Sequence, residues 1–291
     1  MTLSDRGLLE LASLRLEYRM IGPRPSEAPT IMMLHEGLGC VGLWGVFPEQ
    51  LAAATGAGVF VYSRTNYGKS SPGKLPRPVN FMHEEALDVL PQVLATIGFQ
   101  RGILFGHSDG ASIAAIYAGS VQDHRVRGLV LMAPHFFTED MGLAQIRRAK
   151  KDYESGDLRE KLKRWHDDVD SAFYSWNGPW LDPGFRAWDI TEALGYIRVP
   201  ILIVQGADDQ YGTIKQVEAA QEECYCPVET AILPSVRHSP HRDAPDLTLQ
   251  TVSAFINRLL RDHQEGKAGV DSGVAASCII VHIWGRTICE L

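Results

Sequence analysis

The chain has 291 residues, 45% hydrophobic and 22% charged, which gives it enough apolar side chain for a large buried core and sets aside a disordered polymer. Its net charge of −7, with no basic block longer than Arg147-Arg148-Ala149-Lys150-Lys151, lacks the cationic surface that nucleic-acid phosphates require. No apolar stretch reaches the roughly 18 residues of a membrane span, so the expected partner is a neutral or weakly charged small molecule, with no nucleic acid and no membrane.

In chain order, Met1 to Arg6 shows no basic start followed by an apolar run, so a cytoplasmic setting is expected. Continuous apolar runs of four to six residues then recur: Thr30 to His35, Gly58 to Tyr62, Gly102 to Gly106, Leu129 to Ala133 and Ile201 to Val204. Runs of this kind predict strands buried on both faces of a parallel sheet. Between them, Pro48 to Ala54, Glu84 to Ile97, Ala111 to Ala118, Ile214 to Glu223 and Leu247 to Leu260 read as helices. The alternation predicts an α/β fold with a doubly wound, mostly parallel sheet built from residues 1–134 and 192–262.

From His135 to Thr191 no buried strand is evident. Gln145 to Tyr153 and Asp157 to Asp168 read as polar helices, and Trp176-Asn177-Gly178-Pro179-Trp180 and Asp182-Pro183-Gly184 read as loop. Four of the six tryptophans fall here: Trp165, Trp176, Trp180 and Trp188. Residues 135–191 are therefore expected to form an inserted helical cap over the carboxyl end of the sheet. Phe137, Trp176 and Trp180 are its candidate substrate-facing residues. The Arg147 to Lys151 cluster is expected to be a solvated helix face. Residues 263–291 read as a tail that opens with a linker-like run from His263 to Gly269 and carries an apolar patch at Cys278 to Val281.

The five cysteines (Cys40, Cys224, Cys226, Cys278 and Cys289) form neither a paired framework nor a metal-ligand spacing, and no metal site is expected. The dinucleotide fingerprint is also missing from the first strand and turn, so no cofactor is expected.

Gly106-His107-Ser108-Asp109-Gly110 carries the chemistry. This G-x-S-x-G follows a buried strand and opens a helix, which sets a serine at the apex of a sharp turn flanked by glycines. Ser108 Oγ would project above the sheet at the positive end of the helix, with the Asp109 N–H facing a developing oxyanion. A serine hydroxyl needs a general base, and the base needs an orienting acid, in the chain order Ser, Asp or Glu, His. The sequence offers Asp208 and Asp209 after Ile201 to Val204, then His238 and His241 after the shorter strand-like run Glu229 to Leu233. The His238-x-x-His241 pair could also read as metal-binding, but it lacks a third ligand nearby and the helical i,i+4 spacing.

With these residues in place, the chain resembles the α/β-hydrolase superfamily over roughly residues 12 to 262. The resemblance implies Asp209 rather than Asp208 as the acid, three residues after the glycine that closes the strand. It implies His238 rather than His241 as the base, from His-x-x-His-x-x-x-Pro ending at Pro245. In His35-Glu36-Gly37, where the family often shows His-Gly and a variable residue, it implies the Gly37 N–H as second oxyanion donor, with the Glu36 N–H as alternative. Glu36 departs from that pattern, as either a structural tie or a substrate contact. Ser63 to Ser70 resembles the family's turn after the next strand, with Asn66 replacing a glycine and able to keep its left-handed geometry. The implied activity is a serine hydrolase of small apolar, possibly aromatic, carboxylic esters. Ring-cleavage diketones, amides and lactones are alternative substrates, and a ligand receptor of the same fold is the non-enzymatic alternative. Serine at the elbow argues against epoxide hydrolases and haloalkane dehalogenases, whose nucleophile is aspartate.

Overall fold

The structure is a computed structural model that describes residues 4–268. Eight strands make one sheet: β1 Arg6–Glu10, β2 Arg15–Ile21, β3 Thr30–Leu34, β4 Gly58–Tyr62, β5 Gly102–His107, β6 Val126–Met132, β7 Ile201–Gly206 and β8 Val228–Leu233. Their spatial order is β1-β2-β4-β3-β5-β6-β7-β8. The β1–β2 and β2–β4 pairs are antiparallel and every other pair is parallel. The helices are α1 Phe47–Thr55, α2 Phe81–Glu84, α3 Leu90–Thr96, α4 Asp109–Val121, α5 Asp140–Ser155, α6 Leu158–Lys163, α7 Val169–Leu181, α8 Thr191–Leu194, α9 Lys215–Glu223, α10 Pro240–Asp243 and α11 Pro245–Ala268.

The unbroken apolar runs have a direct cause: β3, β4, β5 and β7 are buried at every residue, because helices cover both faces of the sheet. Side chains alternate between two cores. Met32, Leu34, Phe60, Tyr62 and Leu104 face one, with α3, α4 and the helices beyond β6. Ile31, Met33, Val59, Val61 and Phe105 face the other, against Leu51 of α1 and Val252, Phe255 and Ile256 of α11. Parallel register sets Leu34 opposite Gly106 and His107 opposite Met132, so the carboxyl ends of β3, β5 and β6 open at one edge.

Two strands are absent from the predicted set. In β2, Leu16, Tyr18 and Met20 are buried while the charged residues Arg15, Glu17 and Arg19 lie on the other face, so the strand alternates instead of forming a run. The helix predicted over Glu84 to Ile97 is interrupted by a π-helical turn at Glu85–Val89. Pro91 lies just beyond it and has no N–H to return to the preceding turn. The Trp176 to Trp180 stretch, expected as loop, is the last part of α7. Asp168 caps that helix by accepting the Ser171 N–H at 2.9 Å, and Ala172, Phe173, Trp176 and Trp180 bury one helical face. That burial outweighs the poor propensity of Gly178 and Pro179. The chain from His263 to Ala268, expected as the start of a linker, continues α11, and the rest of the expected tail lies outside the described residues.

The segment between β6 and β7 holds α5 to α8 and is tied to α9 and to the loops after β3 and β4. A backbone bridge joins Phe137 to Asp189 near its two ends. Gln216 is fully buried; its Oε1 accepts the Phe136 N–H at 2.7 Å and its Nε2 donates to Glu139 at 2.8 Å. His166 Nδ1 accepts the Gly68 N–H at 2.9 Å and its Nε2 donates to the Leu38 carbonyl at 3.2 Å. Asn66, at φ 77°, donates from Nδ2 to Ser175 Oγ at 2.8 Å.

Candidate active site

β5 ends at His107 and α4 begins at Asp109, so Ser108 alone makes the turn. Its φ and ψ are 54° and −119°, a strained conformation for a residue with a side chain, worth on the order of 1–3 kcal/mol. Neighbouring bonds hold it there. The Ser108 N–H donates to the Met132 carbonyl at 2.9 Å, and its carbonyl accepts the N–H groups of Ala111 at 2.8 Å and Ser112 at 3.1 Å. The flanking glycines are a steric requirement. A methyl group on Gly106 would overlap the backbone of Gly110 and Ala111, and one on Gly110 would overlap the Leu34 carbonyl of β3.

The loops after β7 and β8 bring the other two groups to this serine. His238 Nε2 lies 2.9 Å from Ser108 Oγ, and His238 Nδ1 lies 2.8 Å from Asp209 Oδ2. With Asp209 accepting from Nδ1–H, Nε2 carries the free lone pair and accepts from the serine hydroxyl. The Tyr211 N–H donates to Asp209 Oδ1 at 2.8 Å, and Gln205 Nε2 donates to Oδ2 at 2.9 Å. Burial opposes ionisation of Asp209, but the His238 hydrogen bond and charge and the Tyr211 N–H outweigh it and push the carboxyl down to about 2. Asp208 is exposed, and its N–H bonds the Val236 carbonyl. His241 lies behind the site, its ring against Trp44 and Phe47.

Gly37 and Asp109 border the same cavity as Ser108 and His238. As first residue of α4, Asp109 has no helical acceptor for its N–H. Its side chain is fully buried and turned aside, where Oδ1 accepts from Trp180 Nε1 at 3.1 Å and Oδ2 lies 3.9 Å from Arg64. Burial raises its pKa. Arg64 braces the Gly37 loop from below, donating to the His35 carbonyl and, at 3.1 Å, to the Glu36 carbonyl. The carboxylate of Glu36 points toward His107 Nδ1 at 3.5 Å and Arg242 at 3.5 Å. His107 Nε2 in turn donates to the His238 carbonyl at 2.7 Å. Glu36 is thus tied to the loop that carries His238, although it also borders the cavity.

The cavity beside Ser108 is about 100 Å³, small for a ligand site, and its walls include Ile146, Trp176, Trp180 and Tyr211. Phe137 is not on its wall; it is half-buried against the larger core, and its backbone carries the bridge to Asp189. Sequence reasoning missed Gln205, Tyr211, Arg64 and His135. The His135 ring lies 5.6 Å from that of His238 and 5.2 Å from that of Trp180, and burial pushes it down to about 3. A separate cleft of about 410 Å³ near Tyr117, Arg127 and Pro200 lies at the amino-terminal ends of β6 and β7, away from Ser108. Among the described residues no three His, Cys, Asp or Glu side chains gather as a metal site, and no helix is long and apolar enough to cross a membrane.

Residues 31–251 match the sequence model of the alpha/beta hydrolase family. A (lyso)-N-acylphosphatidylethanolamine lipase of Homo sapiens is 29% identical over 117 residues, 40% of this chain, and the match spans 33% of that protein's length. Among solved structures, the enol-lactonase from Burkholderia xenovorans LB400 superposes with a TM-score of 0.68 at 20% identity, covering 86% of this chain and 99% of its own. A thermophilic esterase from Thermogutta terrifontis gives 0.69 at 16% identity, covering 88% and 100%. At such identities the two structures share the fold.

Proposed function

The chain belongs to the alpha/beta hydrolase family, and from the site it sets on that fold we propose a serine hydrolase that cleaves a small apolar carboxylic ester through an acyl-enzyme. The observation that carries this reading is the unbroken hydrogen-bond chain from Ser108 Oγ through His238 to Asp209 at the wall of a small, largely apolar cavity.

Ser108 attacks the ester carbonyl carbon as His238 Nε2 takes its proton, and Asp209 stabilises the resulting imidazolium. The N–H groups of Gly37 and Asp109 hold the tetrahedral oxyanion, in the loop braced by Arg64 and at the positive end of α4. His238 returns the proton to the leaving alkoxide. It then deprotonates a water molecule, which releases the acid. The cavity volume and its Trp176 and Trp180 walls favour a short or single-ring acyl group.

Hydrolysis of p-nitrophenyl acetate, butyrate and benzoate tests this. The wild type turns over with saturation, and Ser108→Ala falls to background with its fold intact. No turnover of any of the three by folded wild type contradicts the esterase reading and moves attention to ring-cleavage diketones.

A further inference from the structure

Outside the inner cavity lies a broader groove of about 620 Å³, bordered by Arg148, Lys151, Asp152, Tyr211 and Arg237. Tyr211 borders both spaces, and its ring is 4.8 Å from that of His238. Helix α5 is also shared: Gly142 and Ile146 face the inner cavity, and Arg148 and Asp152, further along, face the groove. Arg148, Lys151 and Arg237 are exposed, and none forms a salt bridge with any described residue. Asp152 is the one carboxylate on the groove wall among the described residues. Three cations against one carboxylate are out of keeping with a chain of net charge −7.

We infer that this groove is a subsite for an anionic group on the leaving-group side of the ester. The inference rests on the esterase reading and adds a substrate class to it. His238 donates its proton to the departing oxygen, so the leaving group lies on the His238 side of the scissile bond. Tyr211 and Arg237, the latter next to His238 in sequence, form the groove wall on that side. The small inner cavity takes the acyl group. The open groove, with its excess positive charge, draws in the charged end of the alcohol portion. Arg148 and Lys151 stay on a solvated helix face, as expected, and the proposed subsite gives that face a charged ligand in place of the neutral or weakly charged partner expected from composition. Among the described residues only Lys150 of that cluster forms an ion pair, with Glu154 at 4.0 Å, while Arg148 and Lys151, three residues apart, border the groove.

The test compares kcat/KM for p-nitrophenyl butyrate and for the same ester carrying a carboxylate on the nitrophenyl ring. Their ratio is compared between wild type and variants, which cancels the intrinsic reactivity of the leaving groups. In Arg148→Gln/Lys151→Gln the ratio of charged to neutral ester falls at least about fivefold. In Asp152→Asn it rises. Added salt compresses the wild-type ratio toward that of the double variant. Hydrolysis of both esters with a ratio unmoved by these substitutions overturns the subsite and leaves the esterase reading standing. Failure of the wild type to hydrolyse either ester overturns both.

Discussion

Gln205, the next-to-last residue of β7, donates from Nε2 to Asp209 Oδ2 at 2.9 Å, so the strand itself aims the carboxylate that orients His238. Gln205 is buried, and its amide has the Asp209 carboxylate as its shortest hydrogen-bond partner. Asp209→Asn is expected to lower kcat by about four powers of ten, because the amide stabilises the wrong imidazole tautomer. Asp208→Asn, at an exposed position, changes kcat by less than about twofold. Gln205→Leu removes one charge-assisted bond and lowers kcat about tenfold to a hundredfold with little change in KM. Steady-state kinetics on the three variants checks this order.

Gly37 lies directly against the Trp176 indole, where a methyl group would overlap the ring. Gly37→Ala therefore disturbs both the oxyanion loop and the cavity wall and removes most activity. Trp176→Ala opens the cavity, moves the preferred acyl chain to greater length and costs about 3–5 kcal/mol of stability. The two changes are non-additive: in the Trp176→Ala background, Gly37→Ala costs far less than it does alone. A double-mutant cycle on kcat/KM and on urea midpoints reads both effects.

Ser108 is legible in the sequence because its signal is local: a glycine-flanked serine behind a buried apolar run needs no knowledge of distant contacts. A histidine after the last apolar run is equally local, but two stand there, and the choice of His238 over His241 comes from resemblance. The choice of Asp209 over Asp208 came from resemblance, and its physical content appears only when Gln205 and the Tyr211 N–H converge on one carboxylate. Arg64 supports the site through main-chain carbonyls of another loop, a contact that leaves no spacing in the sequence. The last part of α7 was hidden because Gly178 and Pro179 signal loop, while the burial of Trp176 and Trp180 that holds it helical is a tertiary effect. Phe137 reads as a substrate-facing aromatic in the sequence, yet it lies off the cavity wall, its backbone bridged to Asp189, while the His135 ring stands beside that of His238.

Buried histidines make the fold sensitive to acid, His135 and His241 among them. Burial pushes His135 and His241 down to about 3, from the ordinary 6.5. Between these values the unfolded chain binds a proton at each and the folded chain does not. Their stabilising contribution is therefore complete above about pH 6.5 and is lost as pH falls toward 3, at about 1.4 kcal/mol per pH unit for each histidine. Asp209, held at about 2, adds its own loss only below about pH 4. Neither ring nitrogen of His241 has a hydrogen-bond partner among the described residues, and its ring packs on Trp44 at 5.1 Å. His241→Phe keeps the ring contact and removes one titration. Urea unfolding between pH 6.5 and 4.5 is expected to show a slope of stability on pH smaller by one proton than in wild type.

In the proposed reaction Ser108 is the nucleophile and His238 activates it. Labelling with a small alkyl fluorophosphonate, followed by intact-protein and peptide mass spectrometry, tests it most directly. The expected result is one phosphonyl group per chain, located on Ser108, absent from Ser108→Ala and added more slowly by orders of magnitude in His238→Ala. An unlabelled folded wild type, or equal labelling of wild type and Ser108→Ala, would contradict it.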